Sequence, residues 1–451
     1  MTSLPLEGIR VLDLTQVYAG PACTRILAEL GAEVIKVEGP LRLDITRVLI
    51  FTDNEGLDMP HERACYFSVR NAGKKSITLE LNHPKGVEMA RGLIAQSDVL
   101  AEAFSPRVMK NFGLDYESVR QVKPDIIMLS MSGYGQDGPY ADYGAYGMGL
   151  EPASGISEVT GYRGGPPIRS GLSFTDPVTA FLGAGAVLMA LRHRQRTGQG
   201  QYIDLSEHEG AIPLIAAHLM DYVMNGRIAG RLGNRSPWAA PQGCYRCRGD
   251  DRWLVISIED DEEWSSFCRA VVHPEWEEDE RFADVLDRHE HHDELDQLIE
   301  GWTREQDHLE AFHLLQQAGV TAGPVFDGKD ILLDPHFKER HHFDIVEHPL
   351  LGRRPINRQL VANFDRFEAS VPGPAPLFGQ HNKEVFQGLL GLSDEELAEL
   401  EQENVIGPGP ITEIPPELWS QFLKLPFEQF LEMGALRTIE PDYKEQLGLE
   451  D

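Results

Sequence analysis

The segment IRVLDLTQVYAGPACTRILAELGAEVIKVE, from Ile9 to Glu38, predicts a strand, a helix and a second strand in that order. IRVLDLT and AEVIKVE are short apolar runs rich in aliphatic residues, which favour buried strands. PACTRILAELG between them has helical spacing, and Gly31 is a residue type that commonly ends a helix. Two strands joined by a helix indicate a parallel sheet that is covered by helices.

The same alternation continues over the next hundred residues and extends the predicted sheet. Strands and helices are expected in turn at KSITLEL, PKGVEMARGLIAQS, DVLAEAF, YESVRQV and DIIMLSMSGYG. A dinucleotide-binding fold would carry G-x-G-x-x-G after the first strand, but this chain has TQVYAGPACT there. We therefore expect an α/β domain that does not bind NAD.

Composition narrows the classes of protein that are possible. The chain has 451 residues, enough for two domains, and its formal charge of −31 argues against nucleic-acid binding. No apolar run is long enough to span a membrane and no secretory signal is recognisable, so a cytoplasmic location is expected. The five cysteines are sparse, and Cys244-x-x-Cys247 lacks a second ligand pair, so no metal site is expected.

The pattern of predicted strands and helices changes twice after the first α/β region. Residues 1–225 form the first part of a large domain, and residues 230–335 look like a smaller α+β domain. Residues 350–406 return to apolar strands and end at a capping box of Ser393 and Glu396. The extension 407–451 packs either on its own chain or on a partner subunit, since it carries several large apolar residues: Leu418, Trp419, Phe422, Leu423, Leu425, Phe427, Phe430 and Leu431.

Asp176 stands at the start of a long apolar run, DPVTAFLGAGAVLMALR. Asp is a favoured N-cap and Pro suits the first helical position, so local rules predict a cap on a buried helix from about Pro177 to Arg192. Nothing in the local sequence distinguishes this cap from a reactive carboxylate.

The chain resembles the class III (family III) CoA-transferases, which include formyl-CoA:oxalate and carnitine CoA-transferases. The likeness runs from the opening strand to about Ile406 and rests on the order and spacing of several motifs. These are DITR, KKSITLEL, DVLAEAFSP, SGYGQDGPY, GGPPIRSG, TDP, RTGQGQYIDLSEHEG and GVTAGPV, the last of which is expected to be a turn.

The resemblance implies an α/β fold with a Rossmann-like large domain built from both chain ends, a smaller α+β domain inserted in it, and an interlocked dimer. It also implies transfer of CoA from an acyl-CoA donor to a carboxylic acid through a covalent intermediate on Asp176, with no metal. Residues that match the family's coenzyme A contacts are Tyr18, Ala19, Leu79, Asn82, Ala103, Phe104, Asn111, Gly144 and Tyr146.

Two other activities remain open from the sequence. The related acyl-CoA racemases share the fold, but their His-Asp pair falls on Ala145 and Tyr146 here, which leaves no evident machinery for α-proton exchange. The chain is alternatively a non-catalytic partner in a heteromeric transferase, although it retains Asp176.

Overall fold

Six strands form one parallel sheet in a computed structural model that describes residues 3–54, 59–407 and 427–449. The strands are β1 (Arg10–Asp13), β2 (Glu33–Glu38), β3 (Lys75–Thr78), β4 (Val99–Glu102), β5 (Ile127–Ser132) and β6 (Gln201–Ser206). Their order is β3-β2-β1-β4-β5-β6 and every neighbouring pair is parallel. The predicted parallel sheet is therefore confirmed, and β1 and β4 lie side by side where the strand order reverses.

Both faces of this sheet are buried, as all-parallel sheets require. Val11, Val34 and Val99 pack on one face with α-helices that include residues 19–28 and 180–190. Leu12, Ile35 and Leu100, the next residue along each strand, pack on the other face. This alternation follows from the two-residue period of a strand.

Of the eight α-helices that the described residues form before β6, four lie at segments predicted from the sequence. Those before β6 are α1 (Ala19–Glu29), α2 (Cys65–Asn71), α3 (Pro84–Ala95), α4 (Arg107–Asn111), α5 (Tyr116–Val122), α6 (Gly147–Ala153), α7 (Ile156–Val159) and α8 (Thr175–Thr197). Gly31, expected to end α1, has a φ of +100°. Gly198 ends α8 with a φ of 72°, in the left-handed region where glycine is unstrained.

Contacts divide the chain into two units. One comprises Met1–Ile156, Ser170–Ala216 and Pro335–Asp451, and the other comprises Ser157–Arg169 and Ala217–Asp334. The domain limits drawn from the sequence stay a prediction about how the chain is organised. The sheet described above lies in the first unit.

The second unit contains a three-stranded antiparallel sheet: β7 (Gln242–Arg246), β8 (Trp253–Ser257) and β9 (Thr321–Pro324). Its core includes Trp264 and Phe267. GVTAGPV was expected to be a turn, and this is wrong, because its residues 321–324 pair with β8 as a strand. The glycine and proline in this segment favour a turn, but antiparallel pairing with β8 holds it as a strand.

After β6 the first unit continues with α9 (Glu207–Ala211). The helices that follow belong wholly or mostly to the second unit. They are α10 (Ala216–Asn225), α11 (Asp261–Ala270), α12 (Val285–Glu290), α13 (His292–Thr303), α14 (His308–Gln317) and α15 (Gly328–Leu333).

The C-terminal part of the first unit begins with α16 (Pro335–Glu339) and the hairpin of β10 (Phe343–His348) and β11 (Gly352–Asn357). Within described residues 350–406, β11 is the one strand found, followed by α17 (Asn382–Leu390) and α18 (Asp394–Gln402). The capping box of Ser393 and Glu396 at the start of α18 is confirmed.

The extension returns to its own unit near its end. It contains α19 (Phe427–Glu432) and α20 (Tyr443–Gln446). Lys444 Nζ lies 3.0 Å from Asp53 Oδ2, and the Tyr443 hydroxyl also donates to Asp53. These bonds favour packing on its own chain, whereas Leu418, Trp419, Phe422, Leu423 and Leu425 lie outside the described residues.

Candidate active site

Asp176 lies in the first turn of α8, one residue inside the helix. The helix begins at Thr175, its N-cap is Phe174, and no side chain caps it. The expected cap is therefore wrong, and the helix runs past both ends of the predicted 177–192 range. Its buried stripe of small residues, Ala180, Gly183, Ala184 and Val187, packs in the core that also contains α1.

A buried acid fixes the turn that leads into α8. Glu151 accepts hydrogen bonds from the backbone N–H of Ser170 at 2.7 Å and of Phe174 at 3.0 Å, and from the Ser170 hydroxyl at 2.7 Å. Ser173 has a φ of 55°, in a region that side chains other than glycine seldom occupy. Glu151 therefore holds a strained turn directly before Asp176, and strain of this kind is concentrated at functional sites.

Gly147, the first residue of α6, lies against the Asp176 carboxylate. A Cβ built on Gly147 would lie 2.3 Å from Asp176 Oδ2 and 2.6 Å from Ser173 Cβ, far inside van der Waals contact. The carboxylate thus occupies space that any side chain at position 147 would fill.

The Asp176 carboxyl is hydrogen-bonded to the carboxyl of Glu207, the first residue of α9. Burial raises the pKa of Asp176 to about 6, although the hydrogen bond from Glu207 and the charge of Arg70 favour its ionised form. Burial raises the pKa of Glu207 to about 8, and the neighbouring Asp176 adds to this. The two acids titrate as a coupled pair that shares one proton near pH 7.

Arg70, in the last turn of α2, is held between two aromatic rings. Its guanidinium carbon lies 3.6 Å from the Tyr66 ring centroid and 3.8 Å from that of Tyr18. Its Nη1 donates to the Tyr66 carbonyl at 3.1 Å. The three side chains form a half-buried group that we call the Arg70 clamp, and its charge acts on Asp176.

A second group of buried charges lies below the loop that follows β1. Lys74 Nζ is 2.9 Å from Asp13 Oδ2, and Lys36 Nζ is 3.2 Å from Asp44 Oδ2. Burial alone would raise the pKa of Asp13, but the charges of Lys74 and Lys36 hold it below its ordinary value. The same balance lowers the pKa of Asp44, where Lys36 and Thr46 oppose burial.

Glu38 ends β2, where a dinucleotide-binding fold would carry an acid that binds the ribose, and here it belongs to this charged group. Arg47 bonds to it at 2.8 Å and also to Glu62 at 2.8 Å, and all three side chains are buried. Glu38 is therefore engaged in the protein interior. We call Asp13, Lys36, Glu38, Asp44, Arg47, Glu62 and Lys74 together the paired-charge layer.

The residues expected to contact coenzyme A follow the carboxyl ends of the strands. Tyr18 and Ala19 come after β1, Leu79 and Asn82 after β3, and Ala103 and Phe104 after β4. Gly144 and Tyr146 precede α6 in the loop after β5, and Asn111 is the exposed last residue of α4. Ligands of open α/β sheets bind outside the carboxyl ends, above all where the strand order reverses, here between β1 and β4.

These positions differ in what they offer a ligand. Leu79 is 1% exposed and packs in the core, so only its backbone is available. Tyr146 is 67% exposed, whereas the Asn82 side chain bonds to Glu80 at 2.6 Å. Tyr18 is linked to the surroundings of Asp176 through the Arg70 clamp, and Tyr146 directly precedes Gly147, which lies against the Asp176 carboxylate.

Sequence reasoning missed Glu207 and Arg70 as site residues. Glu207 directly follows β6, at the same edge of the sheet as the expected coenzyme contacts, and this position is the signal that points to it. Arg70 sits four residues after Tyr66 in a short helix, a spacing that is too common to single it out.

The described residues offer neither a cluster of metal-ligating side chains nor a membrane-spanning helix. Within residues 3–54, 59–407 and 427–449, no three His, Cys, Asp or Glu side chains are grouped to hold a metal ion. No helix of those same ranges has the length and apolar character needed to cross a bilayer.

Known proteins match this chain over most of its length. Residues 6–382 match the sequence profile described as CoA-transferase family III. The chain belongs to CoA-transferase family III. It is accordingly a CoA-transferase, and enzymes of this kind act on CoA thioesters.

Relatives of known name span nearly the whole chain. Succinyl-CoA–D-citramalate CoA-transferase of Chloroflexus aurantiacus is 36% identical over 402 residues, covering 89% of this chain and 98% of that protein. The succinyl-CoA–L-malate CoA-transferase beta subunit of the same organism is 31% identical, covering 90% and 99%. Formyl-CoA:oxalate CoA-transferase of Rhodopseudomonas palustris is 31% identical, covering 89% and 97%.

A solved structure shares the fold. The crystal structure of a CAIB/BAIF family protein from Brucella suis superposes with a TM-score of 0.77 at 30% identity, covering 86% of this chain and all of that one. The predicted α/β class with a parallel sheet is thus confirmed, and the interlocked dimer stays a prediction.

Proposed function

We propose that this enzyme transfers CoA between two carboxylic acids through a covalent intermediate on Asp176. The observation that carries the proposal is the position of this half-buried carboxyl, held at the start of α8 by hydrogen bonding to Glu207. A carboxylate that is ionised near pH 7 and partly shielded from water is a competent nucleophile without a separate base.

Four displacements complete the transfer, and each breaks one bond for the bond it forms. Asp176 attacks the donor thioester and expels the CoA thiolate, which gives a mixed anhydride. The thiolate attacks the Asp176 carbonyl and releases the donor acid, which leaves an aspartyl-CoA thioester. The acceptor carboxylate then displaces the thiolate from Asp176, and the thiolate attacks the new anhydride to form the product acyl-CoA and free Asp176.

Glu207 supplies a hydrogen bond that acts throughout this sequence. As a neutral acid it donates to an oxygen of Asp176, where negative charge develops whenever the Asp176 carbonyl is attacked. It also stabilises the carboxylate when Asp176 is the leaving group. A protonated acid used in this way needs a raised pKa, which burial gives Glu207.

Coenzyme A is proposed to lie along the carboxyl edge of the sheet. Tyr18, Ala19, Ala103 and Phe104 flank the point where the strand order reverses, with Leu79 contributing its backbone. Asn82, Asn111, Gly144 and Tyr146 complete the proposed set.

We also propose the interlocked homodimer, because α8 presents large apolar side chains to solvent. Phe181 is 47%, Leu182 45% and Met189 70% exposed. Beyond α10, Ile228 is 81% exposed. Light scattering after size exclusion should give twice the mass of the chain, and a monomer at micromolar concentration would contradict this part of the proposal.

The decisive experiment traps the intermediate. The purified enzyme is incubated with acyl-CoA donors, quenched with hydroxylamine or borohydride, and digested for peptide mass analysis. A modified Asp176 is expected, and Asp176→Asn should carry no label. Consumption of a donor without label on Asp176, or full activity of Asp176→Asn, would refute the mechanism.

A heteromeric enzyme is the second candidate, since one relative is named as a beta subunit. The purified chain alone should then lack activity while its homologous partner restores it. The racemase alternative has less support, because Ala145 and Tyr146 provide no His-Asp pair.

A further inference from the structure

We propose that Arg70 binds a second, non-reacting carboxylate of the acyl group, so that the enzyme's substrate is a short dicarboxylic acid and its CoA monothioester. This inference rests on the proposed function, because it places the substrate's other end at Asp176.

The clamp fixes the guanidinium before any ligand arrives. Tyr18 and Tyr66 lie 3.8 Å and 3.6 Å from the Arg70 guanidinium carbon, and their own rings meet edge-to-face with centroids 6.2 Å apart. Stacking on aromatic rings suits the flat guanidinium and limits its rotation. A fixed cation loses less entropy on binding an anion than a mobile one.

Among the described residues the half-buried Arg70 forms no ion pair, in contrast to three fully buried arginines. Arg25 pairs with Glu29 at 2.9 Å, Arg47 with Glu38 at 2.8 Å, and Arg288 with Asp261 at 2.7 Å. Among the described residues Arg70 forms no such ion pair, and its Nε is buried without a hydrogen-bond acceptor. Arg25 Nε and Arg354 Nε lack an acceptor too, so the missing ion pair is what distinguishes Arg70 and leaves its charge available to an anionic ligand.

The position of Arg70 selects the substrate class. Its charge favours the ionised form of Asp176, yet the two side chains make no direct ion pair. An acyl group that reacts at Asp176 and carries a second carboxylate is thus proposed to pair that carboxylate with the Arg70 guanidinium. Because guanidinium groups bind carboxylates through two parallel hydrogen bonds, a diacid meets both groups at once.

The test compares acyl groups that differ only in a terminal carboxylate or methyl. Succinyl-CoA is paired with butyryl-CoA, and glutaryl-CoA with valeryl-CoA, and the rate of Asp176 labelling is measured for each. The wild-type enzyme should favour at least one diacid by about 100-fold over its partner, the range expected for a buried charged pair. Arg70→Met should remove that preference, lowering the labelling rate of the diacid far more than that of its monoacid partner.

Arg196→Met is the matched control. Arg196 is exposed near the far end of α8, twenty residues from Asp176 and hence about 30 Å away along the helix. It should keep the diacid preference. Arg70→Lys keeps the positive charge but loses the two parallel N–H donors of the guanidinium, so an intermediate preference for the diacid is expected.

Direct binding separates this proposal from the mechanism. Succinate, glutarate and their monoacid counterparts are titrated calorimetrically into wild-type enzyme and Arg70→Met in the presence of CoA. Selective diacid binding that Arg70→Met abolishes supports the clamp even if Asp176 is never labelled. Labelling without diacid preference, or an equal loss for both acid classes in Arg70→Met, overturns the assignment of Arg70 and leaves the mechanism standing.

Discussion

The paired-charge layer and the Asp176–Glu207 pair bury acids in opposite ways. In the layer each acid faces a lysine or arginine, and the pKa of Asp13 and of Asp44 is lowered despite burial. In the pair two acids face each other, and burial raises the pKa of both. The first arrangement stabilises the fold, and under the proposed mechanism the second keeps one proton and one negative charge available for reaction.

The largest expected effect is loss of activity without loss of stability. Asp176→Asn removes the proposed nucleophile and should lower kcat by at least about 10³-fold, as removal of a covalent nucleophile does in other enzymes. Its melting temperature should not fall, because the change removes a carboxyl that burial disfavours. A marked fall in melting temperature would show that Asp176 serves the fold as the layer does.

The converse variant is Arg47→Met in the paired-charge layer. It leaves Glu38 and Glu62 buried without their cation, which typically costs about 3–5 kcal/mol of unfolding free energy. Arg120→Met is the control, since its pair with Glu117 is exposed and should contribute less than about 1 kcal/mol. Equal changes in the two denaturation curves would contradict the distinction between the sites.

The sequence predicts the sheet that carries both groups of acids, but it does not predict how the acids are paired. The sheet followed from apolar strands that alternate with helices, as at IRVLDLT and AEVIKVE. The pairing of Asp176 with Glu207 could not be predicted, because the two acids are 31 positions apart in the sequence. Local sequence rules consider only close neighbours of Asp176, such as Pro177. The family resemblance pointed to Asp176, but no motif indicated that a neutral acid or the Arg70 clamp stands beside it.

β9 shows the same limit in a strand. Its sequence, Thr321–Pro324, has the glycine and proline of a turn, and pairing with β8 overrides that preference. Tertiary contacts determine the secondary structure of such segments, so it cannot be predicted from a single sequence.

Gly147→Ala tests how closely the acid pair is positioned. The new methyl would meet the Asp176 carboxylate and move it, and a displacement of about 1 Å can cost about 10²-fold in rate. Gly149→Ala lies in the same helix with nothing within 4 Å of its Cβ, and it should keep full activity. Similar rates for both variants would mean that the carboxylate tolerates movement.

The smallest expected effect is in the pH profile. Asp176 labelling should rise as pH passes about 6, and fall about tenfold by pH 9 as Glu207 loses its proton above about 8. Glu207→Gln keeps a hydrogen-bond donor that does not titrate, so the fall above pH 8 should disappear. An unchanged alkaline limb in Glu207→Gln would assign it to another group.

The contribution of Glu207 to folding stability should decrease with rising pH, over a range in which labelling of Asp176 increases. The folded protein holds the Glu207 proton up to about pH 8, whereas an unfolded glutamate loses it near its ordinary pKa, so this group's contribution to stability falls as pH rises between those values. Glu207→Gln should therefore unfold at a higher temperature than wild type at pH 8.5. At pH 4 the two proteins should differ little.

The close approach of Gly147 to Asp176 also constrains how the enzyme can change through evolution. A side chain acquired at position 147 would be tolerated only with a carboxylate that points elsewhere, and so with a different arrangement of the reacting groups. The two positions are expected to be inherited as one unit, and divergence of the chemistry within the fold is expected to begin with both.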